Sequence, residues 1–284
     1  MDSMSGFINV NKPSGISSAA AVSKIKRLTG LACGHMGTLD PLASGVLPVA
    51  FGNASRLFNY LLDKEKVYRA VFRFGVDTDT LDSTGEVLQS GLPVPTEDEI
   101  NDVLTKFVGE IEQIPPIYSA KSIGGVRAYR LARQGKEVEL SAKKVAVHAL
   151  ELLGRLNDEE YEFRISCGGG TYIRSLARDI AAACGTCAIM VSLVREKSGF
   201  FELSSAVSPE QLTKENWRSF AIAPDAVFAM PACNICGVDA IKLRNGLKLD
   251  TGMQDGEYKL YFDGVFYGIA AVEKGLLRAK VKLV

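Results

Sequence analysis

Residues 34–49, GHMGTLDPLASGVLPV, constrain this chain more than any other segment. They place three glycines, two prolines, one histidine and one aspartate within 16 residues. Each glycine loosens the backbone and each proline removes a hydrogen-bond donor, so the segment cannot be an ordinary helix or strand. We predict a shaped loop that presents Asp40 among small and apolar residues. Such a carboxylate can act as a nucleophile or general base, or Asp40 can simply cap a turn before Pro41.

Regular elements are predicted on both sides of this loop. Tyr68, Ala70, Phe72 and Phe74 alternate with other residues and predict a strand with one buried face. Further patterns predict a strand at 7–10 and a hairpin of 145–152 with 160–167. One helix is predicted to be capped by Ser17 or Ser18 and ended by Gly30, and another to be opened by a Thr96–Glu99 capping box. A third helix is predicted after 168–170, with Arg174 and Arg178 on its exposed side.

Length and composition indicate a soluble globular protein of about two domains, at roughly 150 residues per domain. The chain has 284 residues, of which 47% are hydrophobic and 23% charged. We predict a larger domain over residues 1–225 and a small β-rich module over 232–284, with a looser stretch at 205–231 that spans the boundary between them. The N-terminus lacks a secretory signal pattern, and no apolar run is long enough to cross a membrane, so a cytoplasmic protein is expected.

Charge is balanced overall but uneven along the chain. The 33 basic residues equal the 33 acidic ones, so no bulk positive field indicates a nucleic-acid partner. Residues 1–73 hold 9 basic and 4 acidic residues, 74–113 hold 1 and 10, and 114–155 hold 8 and 3. Two pairs, Cys184/Cys187 and Cys233/Cys236, have the spacing of a zinc site, but we interpret them as packing residues or free thiols and expect no metal.

Several motifs together resemble the TruB family of tRNA pseudouridine-55 synthases, and they run in family order over roughly residues 7–200. Besides 34–49, the matching segments are 11–18 (NKPSGISS), 66–70 (KVYRA), 114–121 (IPPIYSAK) with 127–129 (RAY), 170–175 (GTYIRS) and 193–195 (LVR). Two positions depart from the family pattern: Gly168-Gly169 replaces a polar Ser-Lys pair, and the turn after the second helix reads ACGTCA at 183–188.

The resemblance implies an α+β fold, a mixed and largely antiparallel sheet flanked by helices and loops, with a C-terminal PUA-like β-barrel. It implies isomerisation of uridine 55 in the T loop of tRNA without a cofactor. Asp40 would attack the ribose or the uracil, or act as a base. Arg174 would pair with Asp40 and keep it ionised. Tyr68 would stack on the flipped base and exchange protons with it, or be one of four buried residues of its strand.

The resemblance also implies the substrate-binding residues. Tyr172 and Leu193 would complete the pocket, unless both belong to the core. His35 would pack from the RNA side, or be structural, and Lys12 would buttress the loop or meet phosphate. Lys121, Arg127 and Arg130 would contact the T arm, with Arg127, Arg130 and Arg133 on one helical side. The expected protein is a monomer without an obligate protein partner.

Two other functions are compatible with the same residues. An RNA-binding tRNA-folding chaperone of this fold would flip bases without essential chemistry, although Asp40, Tyr68 and Arg174 are all intact. A carboxylate-dependent hydrolase would need a second catalytic carboxylate, which no motif supplies.

Overall fold

The computed structural model describes residues 4–62, 64–119 and 140–283, together with the backbone of 122–123 and 126–127. The helices are α1 Ser18–Thr29, α2 Phe58–Leu62, α3 Glu97–Leu104, α4 Ile173–Ala183 and α5 Gly237–Arg244. The strands are β1 Gly6–Lys12, β2 Cys33–His35, β3 Ser44–Phe51, β4 Lys66–Phe74, β5 Val76–Thr78, β6 Val87–Ser90, β7 Gly109–Gln113, β8 Ser122–Ile123, β9 Val126–Arg127, β10 Lys143–Arg155, β11 Glu160–Cys167, β12 Ala188–Ser198, β13 Phe201–Glu202, β14 Ala221–Ile222, β15 Ala232–Ile235, β16 Leu249–Asp250, β17 Gly256–Phe262, β18 Val265–Glu273 and β19 Leu276–Lys282.

A mixed sheet forms the centre of the larger unit. Its strands follow the order β14-β1-β3-β12-β4-β11-β10-β7, with β2 on β3 and β13 on β12. The β3–β12 pair is parallel, and the other pairs of this sheet are antiparallel. The predicted α+β class and largely antiparallel sheet are therefore confirmed.

Successive side chains of each strand point to opposite faces of the sheet, and both faces are buried. On one face α1, α3 and α4 cover a large apolar cluster that includes Tyr68, Phe72 and Leu176. On the other face Phe7 and Val46 join a second cluster with α2 and with residues of the C-terminal unit such as Ile269. The core therefore continues from the sheet into the C-terminal residues.

The predicted helix ends and hairpin are confirmed. Ser17 caps α1 by accepting a hydrogen bond from the Ala20 amide, and Gly30 ends α1 in the left-handed conformation. Both hydrogen bonds of the capping box are present at the start of α3. The β10 and β11 strands pair antiparallel, and β11 pairs in turn with β4.

The C-terminal residues form a five-stranded sheet in the order β15-β17-β18-β19-β16. Helix α5 lies beside this sheet and helps to enclose its own small core, which includes Leu243, Leu260 and Leu277. The short strands predicted for this β-rich module are present, and the module also contains helix α5, which was not predicted.

Three predictions about secondary structure and chain connection were wrong. The loop of residues 34–49 is shorter than predicted, since β2 and β3 enter it from both ends and leave residues 36–43 between them. The stretch 205–231 is not a simple connection, because β14 pairs with β1 and Trp217 is buried against Phe51 with ring centroids 5.3 Å apart. Arg127 lies in β9, so the proposed helical side of three arginines does not begin there.

None of the helices in the described part of the chain is both long and apolar enough to cross a membrane.

Candidate active site

Asp40 lies in the loop between β2 and β3, at the edge of a cavity. Its Oδ2 atom is 2.9 Å from Nε of Arg174, and its side chain is about one-third exposed (34%). The backbone of the loop makes its own turn, in which the Ala43 amide donates to the Asp40 carbonyl. The carboxylate thus faces a guanidinium across the cavity edge, as the catalytic interpretation of the loop requires.

Arg174 lies in the first turn of α4 and is buried, with a side chain only 6% exposed. Its Nη1 donates to the Thr80 carbonyl at 2.8 Å, and its Nη2 donates to the Tyr118 carbonyl at 3.0 Å. The prediction that Arg174 lies on the exposed side of this helix was wrong, because these bonds turn it inward; Arg178, one turn later, is the half-buried one. The planar guanidinium therefore has a fixed orientation toward Asp40.

A second carboxylate lies behind Arg174. Oδ2 of Asp82 is 3.6 Å from Nη1 of Arg174, and this side chain is also buried. Its Oδ1 accepts hydrogen bonds from the hydroxyls of Thr80 and Thr84 and from the Thr84 amide. Two carboxylates thus share one guanidinium, and Asp82 stays anchored by its threonines while Asp40 faces the cavity.

The cavity in front of Asp40 has a volume of about 230 Å³. The predicted residues Asp40, Tyr68, Tyr172, Arg174 and Leu193 all line it. Drug-sized ligands usually occupy roughly 300–1,000 Å³, so this cavity has the scale of a smaller group such as one flat ring. Tyr68 is buried, and desolvation by burial raises its pKa, which keeps the phenol protonated.

Two buried cations connect the Asp40 loop to neighbouring segments by donating to backbone carbonyl groups of both. Lys12 Nζ donates to the carbonyls of Pro13, Ile16 and Pro41, at 2.9, 2.7 and 3.4 Å. Lys12 is fully buried, so its ammonium contacts these carbonyls within the protein, and its role toward the RNA stays a prediction.

Arg195 clamps the other side of the same loop. Its Nε donates to the Val46 carbonyl at 2.7 Å, and its Nη2 donates to the Gly37 carbonyl at 3.1 Å. The β12 strand that carries it runs beside Gly45, where an added Cβ would collide with the Arg195 carbonyl oxygen. Glycine at this position lets β12 approach close enough for Arg195 to reach the loop.

Burial of the Lys12 ammonium leads to a pH-dependent stability. Desolvation lowers the pKa of Lys12 from 10.5 to about 8, against an opposing effect of Asp40. Between these values the unfolded chain binds one more proton than the folded chain, so stability increases with pH. We expect the free energy of unfolding of the wild type, relative to Lys12→Met, to increase by at most about 1.4 kcal/mol per pH unit from pH 8 to 10. Denaturant titrations of both proteins measure this, and parallel curves would contradict it.

The backbone of Tyr172 is held by Gln113, at the end of β7. The Tyr172 amide donates to Gln113 Oε1 at 2.8 Å, and Gln113 Nε2 donates to the Tyr172 carbonyl at 3.1 Å. Gln113 is itself buried. This reciprocal pair holds Tyr172, the residue just before α4 and two positions before Arg174, and so connects the edge of the sheet to the site.

His35 lines a different cavity. This second cavity has a volume of about 410 Å³ and shares Asp40 and Arg174 with the first as a common wall. Its other walls include the start of α1 and the hydroxyls of Thr80 and Thr84. Burial lowers the pKa of His35, with Arg195 contributing in the same direction, so the imidazole is neutral near pH 7.

The predicted basic contacts of the T arm are largely outside the described residues. Lys121 and Arg130 lie there, and of Arg127 only the backbone in β9 is described. Their role therefore stays a prediction. The four cysteines of the two C-x-x-C pairs are free thiols. Among the residues with described positions, no three His, Cys, Asp or Glu side chains gather as metal ligands do.

Three functional residues were missed from the sequence. Asp82 belongs to the acidic segment 74–113, which we interpreted only as a possible charged face. Arg195 was in a matched motif but received no role, and Gln113 directly precedes the matched segment 114–121. A position in or next to a motif was the available signal for Arg195 and Gln113, and no local signal distinguished Asp82 from the other acids of its segment.

Comparisons with known proteins identify the class of enzyme. Residues 25–173, more than half of the chain, match the family described as "TruB family pseudouridylate synthase (N terminal domain)". A tRNA pseudouridine synthase B of Caulobacter sp. (strain K31) is 41% identical over 251 residues, which are 86% of this chain and 81% of that protein. Another, from Caldanaerobacter subterraneus subsp. tengcongensis, is 38% identical over 284 residues, 98% of this chain and 99% of that one.

A solved structure extends the similarity to the fold. The "Crystal Structure of a Cbf5-Nop10-Gar1 Complex" contains a chain with a TM-score of 0.69 and 26% identity, covering 94% of this chain and 78% of that chain. The fold, the paired Asp40 and Arg174, and the sequence matches agree on a pseudouridine synthase, an isomerase. The chain belongs to the TruB family of pseudouridylate synthases.

Proposed function

We propose that this enzyme isomerises uridine 55 in the T loop of tRNA. The observation that carries the proposal is the 2.9 Å contact between Asp40 and Arg174 at the edge of a cavity the size of one base. Relatives named tRNA pseudouridine synthase B, similar over most of their length, support tRNA as the substrate.

The reaction needs no oxidant and no added group. The bond from ribose C1′ to uracil N1 breaks, the uracil turns, C5 bonds to C1′, and the proton of C5 leaves while N1 gains one. Asp40 starts this sequence as a nucleophile on the ribose or on the uracil, or as a base at the sugar. The Arg174 guanidinium orients the carboxylate, because Nη1 and Nη2 donate to the Thr80 and Tyr118 carbonyls and so hold its plane in place.

The target base must leave its stack before it reaches Asp40. Tyr68, Tyr172 and Leu193 line the cavity, and we assign stacking on the base to Tyr68 and the enclosure of the base to the other two. We assign His35, which lines the adjoining cavity, to packing against the nucleotide from the RNA side. Stacking on aromatic rings contributes roughly 1–3 kcal/mol per base, which offsets much of the cost of unstacking.

The rest of the RNA would be held by basic side chains. We assign Lys121, Arg127 and Arg130 to the T arm, and the C-terminal residues to the acceptor side as a PUA-like domain over 232–284, with the catalytic domain over 1–225. We propose that the enzyme works as a monomer in the cytoplasm, without an obligate protein partner.

Position-specific mapping of pseudouridine in an unmodified tRNA transcript tests the substrate and the site. The transcript is incubated with the enzyme, and a second transcript with cytidine at position 55 serves as the control. We expect pseudouridine at position 55 alone, and none in the control. Modification elsewhere, with position 55 unchanged, would refute the proposal. Tight binding of the tRNA without any pseudouridine would instead support the alternative function, a tRNA-folding chaperone.

A further inference from the structure

Helix α2 lies between the C-terminal unit and the active-site cavity. It has only five residues, Phe58–Leu62, and follows a 3-10 turn at Gly52–Leu57. An isolated helix of this length is not stable in water, because nucleation costs more than one turn returns. Its position is therefore set by the surfaces that pack against it.

One of these surfaces belongs to the C-terminal unit. The Tyr60 hydroxyl donates to Glu257 Oε1 at 3.0 Å, and Glu257 also pairs with Lys280. The Lys280 ammonium lies 5.6 Å from the centroid of the Tyr60 ring, and that ring packs edge-on against Phe228 at 6.0 Å. Tyr60 thus contacts three groups from beyond residue 225.

Side chains of the preceding turn, residues 52–57, donate hydrogen bonds to backbone carbonyls at the end of the chain. Asn53 Nδ2 donates to the Leu283 carbonyl at 2.8 Å, and Arg56 Nη1 donates to the Lys282 carbonyl at 2.7 Å. Leu57 and Leu61 are buried in one apolar cluster with Ile269 and Leu283. The last strand of the chain and α2 therefore share a continuous interface.

The other end of α2 forms part of the active site. Leu62 lines the cavity that contains Asp40. The Leu62 carbonyl accepts a hydrogen bond from Lys66 Nζ at 2.6 Å, and Lys66 lines the same cavity. Lys66 begins β4, two residues before Tyr68. Because α2 has only five residues and its last residue lines the cavity, a displacement of α2 would also move the cavity wall.

We propose that the C-terminal unit positions the active site through α2, with Tyr60, Glu257 and Lys280 as positioning residues, in addition to any contact it makes with RNA. It therefore acts on the catalytic step and not only on the affinity for RNA. The proposal concerns this chain's pseudouridine synthase activity and does not depend on which uridine is modified.

The test compares the catalytic step with binding in full-length variants. Tyr60→Phe removes one hydrogen bond and Tyr60→Ala also removes the ring, without a change in charge. Tyr258→Phe is the matched control, since its hydroxyl donates to the Gln254 carbonyl inside the C-terminal unit. We expect single-turnover rate constants, with enzyme in excess over tRNA, to fall about threefold in Tyr60→Phe and about tenfold in Tyr60→Ala. The tRNA Kd should change less than about twofold, and Tyr258→Phe should match the wild type.

Two further measurements separate positioning from general destabilisation. Amide hydrogen exchange in α2 should be faster in Tyr60→Ala and unchanged in Tyr258→Phe. Glu257→Lys should slow the reaction, and the charge swap Glu257→Lys with Lys280→Glu should restore it to within about threefold of the wild type. Unchanged rate constants in both Tyr60 variants, a loss confined to the Kd, or failure of the swap to restore the rate would overturn the proposal.

Discussion

Asp40→Asn abolishes pseudouridine formation while tRNA is still bound, and this is the largest effect we expect. Asparagine has nearly the same volume and can still accept a hydrogen bond from Arg174 Nε, so the cavity keeps its shape. Arg174 remains anchored by the Thr80 and Tyr118 carbonyls and by Asp82. What is lost is the negative charge and the nucleophilic oxygen. The tRNA Kd should stay within about tenfold, or roughly 1.4 kcal/mol, because phosphate contacts and stacking dominate binding.

Single-turnover assays with enzyme in excess measure this outcome. Asp79→Asn is the matched control, since Asp79 Oδ1 accepts a hydrogen bond from the Glu86 amide, which an amide oxygen can also accept. It should retain wild-type activity. Appreciable conversion by Asp40→Asn, with deamidation back to aspartate excluded by mass spectrometry, would remove Asp40 from the chemistry and leave the site to be reassigned.

Arg174→Lys should be nearly as damaging to turnover, although it conserves the charge. The guanidinium serves Asp40, Asp82 and two carbonyls from one rigid plane, and a single ammonium cannot reach all four. Loss of two charge-assisted hydrogen bonds, at about 1.5–3 kcal/mol each, predicts a decrease in turnover of roughly a hundredfold or more. The tRNA Kd should change much less, because Arg174 is buried.

Arg178→Lys is the control for this variant. Arg178 lies one turn later on α4 and contacts Asp179 and the Ile114 carbonyl at the protein surface. We expect its turnover to stay within about twofold of the wild type. If Arg174→Lys also kept near-normal turnover, Arg174 would contribute charge alone, and the fixed orientation of its plane would have no catalytic role.

Features with a local cause could be predicted from the sequence. The alternation in β4 predicted which face is buried, and the Thr96–Glu99 pair predicted the start of α3, because both depend on residues a few positions apart. The motif resemblance predicted Asp40, Tyr68, Tyr172, Arg174 and Leu193, and the structure brings these five to one cavity. The family and its reaction class were thus available before any coordinates.

Features that depend on distant residues could not be predicted in this way. The helical pattern placed Arg174 outside, yet carbonyls from residues 56 and 94 positions away draw it inward. Asp82 was one acid among ten in its segment, and nothing local distinguishes the one that faces a buried guanidinium. A periodic pattern counts apolar residues, so it assigns a buried cation to the wrong side.

The sequence by itself determined the local elements, the enzyme family and the identities of the residues around Asp40. The tertiary structure decided how they meet, through the strand order β3-β12-β4. Strand β12 comes late in the chain, yet it lies between β3, which follows the Asp40 loop, and β4, which carries Tyr68. Its Arg195 pairs in register with Gly45 on one side and Tyr68 on the other. Such pairing depends on long-range hydrogen bonds and on the packing of both faces of the sheet, and no short segment of sequence encodes these.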